Sequence, residues 1–353
     1  MKADAKILIC YNSPVSIFTI YNGKPAEKGI LVSDLSENAF LRDLENIIHS
    51  LRHYFTVVDS IAINSDVERT ISELNKFNPD VIFNFVESIE GIASYEFCIA
   101  GLFELLGFQF TGNNPTTLGN CLNKERTKNI LRSFSIPTPN SQIIAQSTKV
   151  TNKNFNLKFP VIMKLLKEDA SIGISELSVV NNLKVLNKQL KFLFDTYGQD
   201  VIAEEYIEGR ELNVAILGDR VLPISEILFK GLPAGLPKII TYDSKWIEDS
   251  VYYQNTKPSC PAKLNERVKK KIEDTALSAY KAMNCRDYAR VDIRLDKMNT
   301  PYVIEVNPNP DISTDAGFIR AAAAANISYS ELLYSIAGFA LSRRKNDTKN
   351  KAS

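Results

Sequence analysis

The chain has 353 residues, 44% hydrophobic and 24% charged, with 42 basic side chains against 41 acidic ones. That length calls for two or three domains, and a net charge of +1 gives no global attraction for nucleic acid or an acidic membrane surface. Two histidines, His49 and His53, exclude a three-histidine zinc site and leave carboxylates, Lys, Arg and a hard cation to carry any catalysis.

The run KILIC at 6–10 predicts a buried strand and is too short for a secretory leader. Apolar residues at helical spacing predict a helix over 38–54, β-branched residues a strand over 55–63, and a second amphipathic helix follows over 66–77. Asn78-Pro79 announces a third strand at 80–86, and an apolar helix at 94–106 ends at Gly107. Strands alternating with helices imply a parallel α/β sheet, so residues 1–118 are expected to form a Rossmann-like N-terminal domain. A nicotinamide cofactor is not expected there, because 10–16 holds no glycine for a G-x-G-x-x-G turn.

A helix is predicted at 123–134, closed by Ile136, Pro137, Thr138 and Pro139. Strands at 159–165 and 176–180 flank a loop containing Gly173, and an amphipathic helix (183–194) and a strand (201–207) follow. The pattern then turns β-rich, with strands at 211–217 and 220–228 around the hairpin signal Gly218-Asp219. Residues 229–259 are Pro- and Gly-rich and read as one irregular loop, of the kind that is usually functional or mobile. A helix at 264–283, strands at 288–295 and 302–307, and a helix at 329–342 complete the pattern. The tail 343–353 carries Arg343, Arg344, Lys345, Lys349 and Lys351 against Asp347 and is expected to be disordered. No stretch of about eighteen apolar residues is present, so no membrane span is expected. The cysteines, Cys10, Cys98, Cys121, Cys260 and Cys285, show neither metal-ligand nor redox spacing, and their odd count favours reduced thiols and the cytoplasm.

Candidate chemistry begins with Arg290 and Asp292, and with Glu305 and Asn307. Residues i and i+2 of a strand share a face, and a short turn around 297–300 makes the two strands a hairpin that brings both pairs together. Val291, Ile293, Ile304 and Val306 are then expected to face the core. Two carboxylates and an amide oxygen suit Mg²⁺, which takes few protein ligands and completes its shell with water and phosphate; a strand pair with ordinary surface charges reads equally well. Lys164 closes an apolar strand beside a loop, Lys124 opens a helix, where N–H groups also attract anions, and Lys245 lies in the irregular segment. Each can meet a phosphate, and each can equally be an exposed lysine. EEYIEGRE at 204–211 joins a strand to the hairpin. Glu204 can accept from an exocyclic amine and Glu211 from ribose hydroxyls, or the run is a charged connector.

Taken in order, these pieces resemble a known family. The set is Asn123 and Lys124, PVIMK at 160–164, SIG at 171–173, EEYIEGRE at 204–211, YDSK at 242–245, RVD at 290–292 and EVNP at 305–308. It resembles the ATP-grasp fold and, within it, the D-alanine–D-alanine ligase-like branch; FTG at 110–112, TP at 138–139 and DISTDAGF at 311–318 look like the same branch. The resemblance covers about residues 80–340.

It implies a two-subdomain ATP-grasp fold, 119–207 and 208–342, after the N-terminal domain. It implies ATP and Mg²⁺, with Mn²⁺ as a substitute, and a small-molecule carboxylate and amine joined through an acyl phosphate. By matched position Lys124 and Lys164 would hold the phosphates, Glu204 and the Ile207 backbone adenine, and Glu211 the ribose. Lys245 would reach the γ-phosphate, Arg290 would steady the transferring phosphoryl group and the later oxyanion, and Asp292, Glu305 and Asn307 would bind the metal. Ser171 to Gly173 would close over the phosphates, with glycine allowing close backbone approach. Homodimers through the N-terminal domain are common among such ligases. Departures cluster where two amino acids would bind. The N-terminal signature is replaced by CYNSPVS at 10–16 and the His-Gly segment by NFVESIEG at 84–91, with Ala170, Trp246, Asp311 and Ala316 standing at four further family positions, while Ser313 and Thr314 lie close by. Ligation of something other than two D-alanines is therefore expected, the alternatives being an authentic D-alanine–D-alanine ligase or a nucleotide-binding regulator without turnover.

Overall fold

The computed structural model describes residues 2–15, 17–25 and 35–351, the side chains of 36–39 and 345–351 apart. Ser16, at the end of the replaced N-terminal signature, lies outside the described residues. Three sheets succeed one another along the chain.

The first is parallel, in the order β2-β1-β3, from β1 (Ala3–Asn12), α1 (Leu35–Arg52), β2 (Phe55–Ile63), α2 (Val67–Phe77) and β3 (Val81–Phe85). Strand β1 reads as a continuous apolar run because both its faces are covered. Ile7 and Ile9 pack with Ile47 and Leu51 of α1, while Leu8 and Cys10 pack with Leu74 of α2 and with Phe103. Asp66 caps α2, its carboxylate accepting from the Arg69 N–H. Helix α3 (Tyr95–Leu105) stops just before Gly107 at φ +77°. A further helix, α4 (Pro115–Leu122), was not expected; Asn114 caps it and Pro115 stands in its first turn.

Helix α5 (Lys124–Ser133) leads into an antiparallel sheet made by β4 (Ser141–Ile144), β5 (Val161–Leu165), β6 (Val179–Val180) and, after α6 (Leu183–Tyr197), β7 (Val201–Glu205), in the order β4-β7-β5-β6. Leu186, Leu190 and Leu193 line one stripe of α6 and bury it against Val161, Met163 and Leu165. The strand expected at 176–180 is mostly a turn: Glu176–Ser178 form one turn of 3₁₀ helix, and only Val179 and Val180 pair with β5. Ser175 and Ser178 cap each other's backbone and so compete with the ladder.

The third sheet comprises β8 (Gly209–Leu217), β9 (Arg220–Val221) and β10 (Ser225–Leu228), then β11 (Lys257–Ser259), β12 (Tyr288–Asp296) and β13 (Pro301–Asn307). Its order is β11-β10-β8-β12-β13, with β9 paired to β8 across the expected Gly218 hairpin. The segment 229–259 is not one irregular loop. It contains α7 (Tyr242–Trp246), capped by Thr241, α8 (Val251–Asn255), capped by Ser250, and β11 itself. Helix α9 (Glu266–Ala282) covers the inner face through Ile272, Ala276 and Ala279.

Strands β12 and β13 pair with a bulge: Asp292 faces Glu305, but Ile293 faces Val303, which leaves Ile304 as the extra residue. Val303, not Ile304, is therefore the buried neighbour of Val306, which corrects the simple alternation. Helices α10 (Gly317–Ala324) and α11 (Tyr329–Lys351) finish the described chain. Helix α11 runs past Ser342, so the expected disorder does not hold where the tail begins. Arg343 pairs with Asp287 through both terminal nitrogens and donates to the Phe110 carbonyl at 2.7 Å, and Arg344 pairs with Asp80. Residues 352–353 lie outside the described residues.

Candidate active site

Strand β12 sets the centre. Arg290, Asp292 and Arg294 alternate on one face of it, and the partner register places Asn307 opposite Arg290 and Glu305 opposite Asp292. Arg290 grips Asp292 bidentately at 2.8 and 2.9 Å. Asn213 of β8 and Asn307 donate to the same carboxylate at 2.6 and 3.0 Å. Asp292 is thus fixed by three partners, whereas Glu305 is held only loosely, with Lys124 Nζ at 3.7 Å.

The cations converge on Glu305. Burial alone would raise its carboxyl, but Lys124, Lys164, Lys245 and Arg290 outweigh it and hold the group below the usual range. Lys245, in the last turn of α7, lies close enough to Arg290, Glu305 and Asp292 to feel their charges; burial and Arg290 pull its ammonium down. Lys124 sits where α5 begins, its own N–H reaching the Leu166 carbonyl and its ammonium the Glu168 carbonyl and Asp169. Lys164 is the penultimate residue of β5, ahead of the loop that carries Ser171 and Gly173. That loop is strained, with Ala170, Ser171 and Gly173 at φ +52°, +63° and +76°.

The Glu204 carboxylate is 1% exposed and lies between Lys164 at 3.1 Å and Lys128 at 3.2 Å, so two ammoniums face it. Burial would raise it, but the two lysines hold it below the usual range. Lys128, itself buried and sharing that one carboxylate, is pulled down to about 8. The Ile207 carbonyl and the Glu211 carboxylate both accept from Arg294, at 3.0 and 2.8 Å, and Arg294 also stacks over Tyr206. Burial nevertheless leaves Glu211 raised.

Lys128 and Arg294 were missed in the sequence, although signals existed. Lys128 lies one helical turn beyond Lys124, and Arg294 continues the i+2 series of Arg290 and Asp292. Among the described residues no group of three or more His, Cys, Asp or Glu is set to hold a metal. Asp292, Glu305 and the Asn307 amide form an oxygen donor set that fits Mg²⁺ only with water or phosphate completing its shell. Two surface hollows of about 470 and 480 Å³, beside α5 and α9, contain none of these groups.

Residues 130–337 match the family model described as the D-ala D-ala ligase C-terminus. The chain belongs to the D-alanine–D-alanine ligase family. It is an ATP-grasp ligase, of the class that forms C–N bonds. Relatives of the family member include the uncharacterized protein y4sG of Sinorhizobium fredii, 34% identical over 72% of this chain and 73% of that one. A D-alanine–D-alanine ligase of Nitrosospira multiformis is 31% identical over 69% and 74%. The fold matches the crystal structure of a Bacillus anthracis D-alanine–D-alanine ligase complexed with ATP, with a TM-score of 0.74 and 22% identity over 97% of this chain and 99% of that one. No helix among the described residues is long and apolar enough to cross a membrane.

Proposed function

We propose that this ligase uses ATP to activate a small-molecule carboxylate as an acyl phosphate, which an amine then attacks to give a peptide-like amide, ADP and phosphate. The observation that carries the reading is the convergence of Lys124, Lys164, Lys245 and Arg290 on Glu305 beside Asp292. Phosphoryl transfer needs positioning and charge neutralisation more than a strong base, and this site offers cations and no histidine.

Lys124 and Lys164 would bind the ATP phosphates and Lys245 the γ-phosphate. Glu211 and the Ile207 backbone would meet ribose and adenine, with Arg294 orienting both. Glu204 would act through Lys164, which it holds in place, rather than on the base. Ser171 and Gly173 would exclude water over the phosphates. Arg290, already anchored on Asp292, would stabilise charge on the transferring phosphoryl group and on the oxyanion formed when the amine adds. Asp292, Glu305 and Asn307 would hold Mg²⁺, which when bound supplies neutralisation of the phosphate charge.

By the resemblance, the departures cluster at the amino-acid subsites, and they favour another substrate pair. Ala316 opens α10 without a side-chain cap, and Asp311 spends its carboxylate on the Ser313 hydroxyl and N–H. By the resemblance, Ala316 stands where a serine would bind the acceptor carboxylate, and Asp311 where a glycine would lend an oxyanion-hole N–H. Incubation with ATP, Mg²⁺ and a panel of amino acids is expected to release ADP and phosphate with one pair other than two D-alanines. AMP release would contradict the mechanism, D-alanyl-D-alanine formation would overturn the substrate reading, and ATP-dependent stabilisation without turnover on any acceptor would make the protein a binder only.

A further inference from the structure

Residues 17–25 leave the first sheet and lie along the strained loop at 171–175. The Gly173 N–H donates to the Tyr21 carbonyl at 2.7 Å, and Ser175 and Gln189 donate to the Gly23 carbonyl at 3.3 and 3.4 Å. A Cβ on Gly23 would stand 2.2 Å from the Gly173 carbonyl oxygen, so this approach requires glycine there. Helix α7 meets the same loop. The Tyr242 N–H donates to the Ile174 carbonyl at 3.1 Å, the Trp246 indole N–H points to the Ala170 carbonyl at 3.5 Å, and the Tyr242 ring stacks on Tyr21 at 5.9 Å. One charge ties the three parts together: Lys24 Nζ lies 2.6 Å from Asp243 of α7 and 3.1 Å from Glu176, in the turn that follows the loop.

We propose that Lys24 is a positioning residue for the ATP site, its ammonium latching α7, and with it Lys245, onto the loop 171–175 and the segment 17–25. The inference rests on the reading that this loop and Lys245 face the phosphates of ATP. Asp243 is buried, and Glu176 is largely covered. Without the ammonium, two carboxylates in contact with one point are left facing each other in a poorly solvated place, and they repel. The rest of the contact is hydrogen bonding to main-chain groups, from main chain and from Ser175, Gln189 and Trp246, together with ring stacking, and it tolerates loss of the lysine without loss of either helix or sheet. Asp243 stands two residues before Lys245, so displacement of one carries the other.

The chain's single tryptophan, Trp246, reports the contact directly. Acrylamide quenching of its emission is compared, without nucleotide, in the wild type, Lys24→Met and Lys24→Arg, followed by titration with ATP·Mg²⁺ and thermal unfolding. Lys24→Met is expected to expose Trp246 to quencher and to weaken ATP·Mg²⁺ about tenfold, with an unfolding midpoint near wild type; Lys24→Arg keeps the charge and is expected to restore both. Wild-type quenching in Lys24→Met would overturn the latch. Raised quenching with unchanged ATP·Mg²⁺ affinity would overturn the positioning role. Failure of the wild type to bind ATP·Mg²⁺ would instead overturn the nucleotide site and any positioning role with it, while the quenching comparison still decides whether the contact holds.

Discussion

Single side chains in this site are set by what they share. Asn307 touches Asp292 and little of the core, so Asn307→Ala is expected to abolish turnover nearly completely while leaving the circular dichroism spectrum unchanged; wild-type turnover at ordinary Mg²⁺ would remove it from the metal set. Lys164 divides its attention between Glu204 and the cleft, and Lys164→Ala is expected to weaken ATP binding about tenfold or more by calorimetry. Glu204 gives a pH signature. Its folded value lies below the ordinary 4.5, so the stability it adds is complete above that pH and is lost as pH falls through the depressed value. Glu204→Gln leaves Lys128 and Lys164 without a counter-charge and is expected to cost about 3 kcal/mol at neutral pH. Urea midpoints measured from about pH 6 down to about pH 3 should then fall less steeply in the variant than in the wild type. Parallel slopes would show that the carboxylate is not held low.

Among the elements, those with a strong period and a simple environment were legible, and the others show why they were not. Helix α6 and strand β1 follow their apolar patterns because one stripe or both faces are buried. Strand β13 broke the alternation, since a bulge at Ile304 has no signature in residue type; the bulge sets the register that keeps Glu305 opposite Asp292. Val179 and Val180 supply the β-branched signal for a strand at 176–180, but paired serines turn 176–178 into 3₁₀ helix. The last helix was cut short at its run of basic residues because charge alone carries no trace of Asp287, over fifty positions earlier in the chain. Arg343 holds that carboxylate, which is 2% exposed in its side chain. Arg343→Met is expected to destabilise the protein by about 2 kcal/mol in urea unfolding, with faster amide exchange along α11; a change within error would make the pairing superficial.

At the level of the whole molecule, the family and the parallel N-terminal sheet were legible, the family because the chemistry-bearing residues recur with recognisable spacing. Arg290, Asp292, Glu305 and Asn307 meet as the i+2 rule requires. The latch of residues 17–25 on the loop and α7 was not legible, because it joins three segments far apart in the chain through scattered hydrogen bonds and one lysine. A near-zero net charge also concealed how uneven the distribution is: four cations gather round one carboxylate in the cleft, where the proposed reaction needs them. The central claim is that a carboxylate oxygen of one substrate attacks the γ-phosphate of ATP. Once the panel has identified the donor, it can be supplied with ¹⁸O in its carboxylate and the released phosphate examined by mass spectrometry. The account predicts one ¹⁸O atom in inorganic phosphate, with unlabelled ADP. Label in AMP, or phosphate free of label while the amide forms, would contradict it.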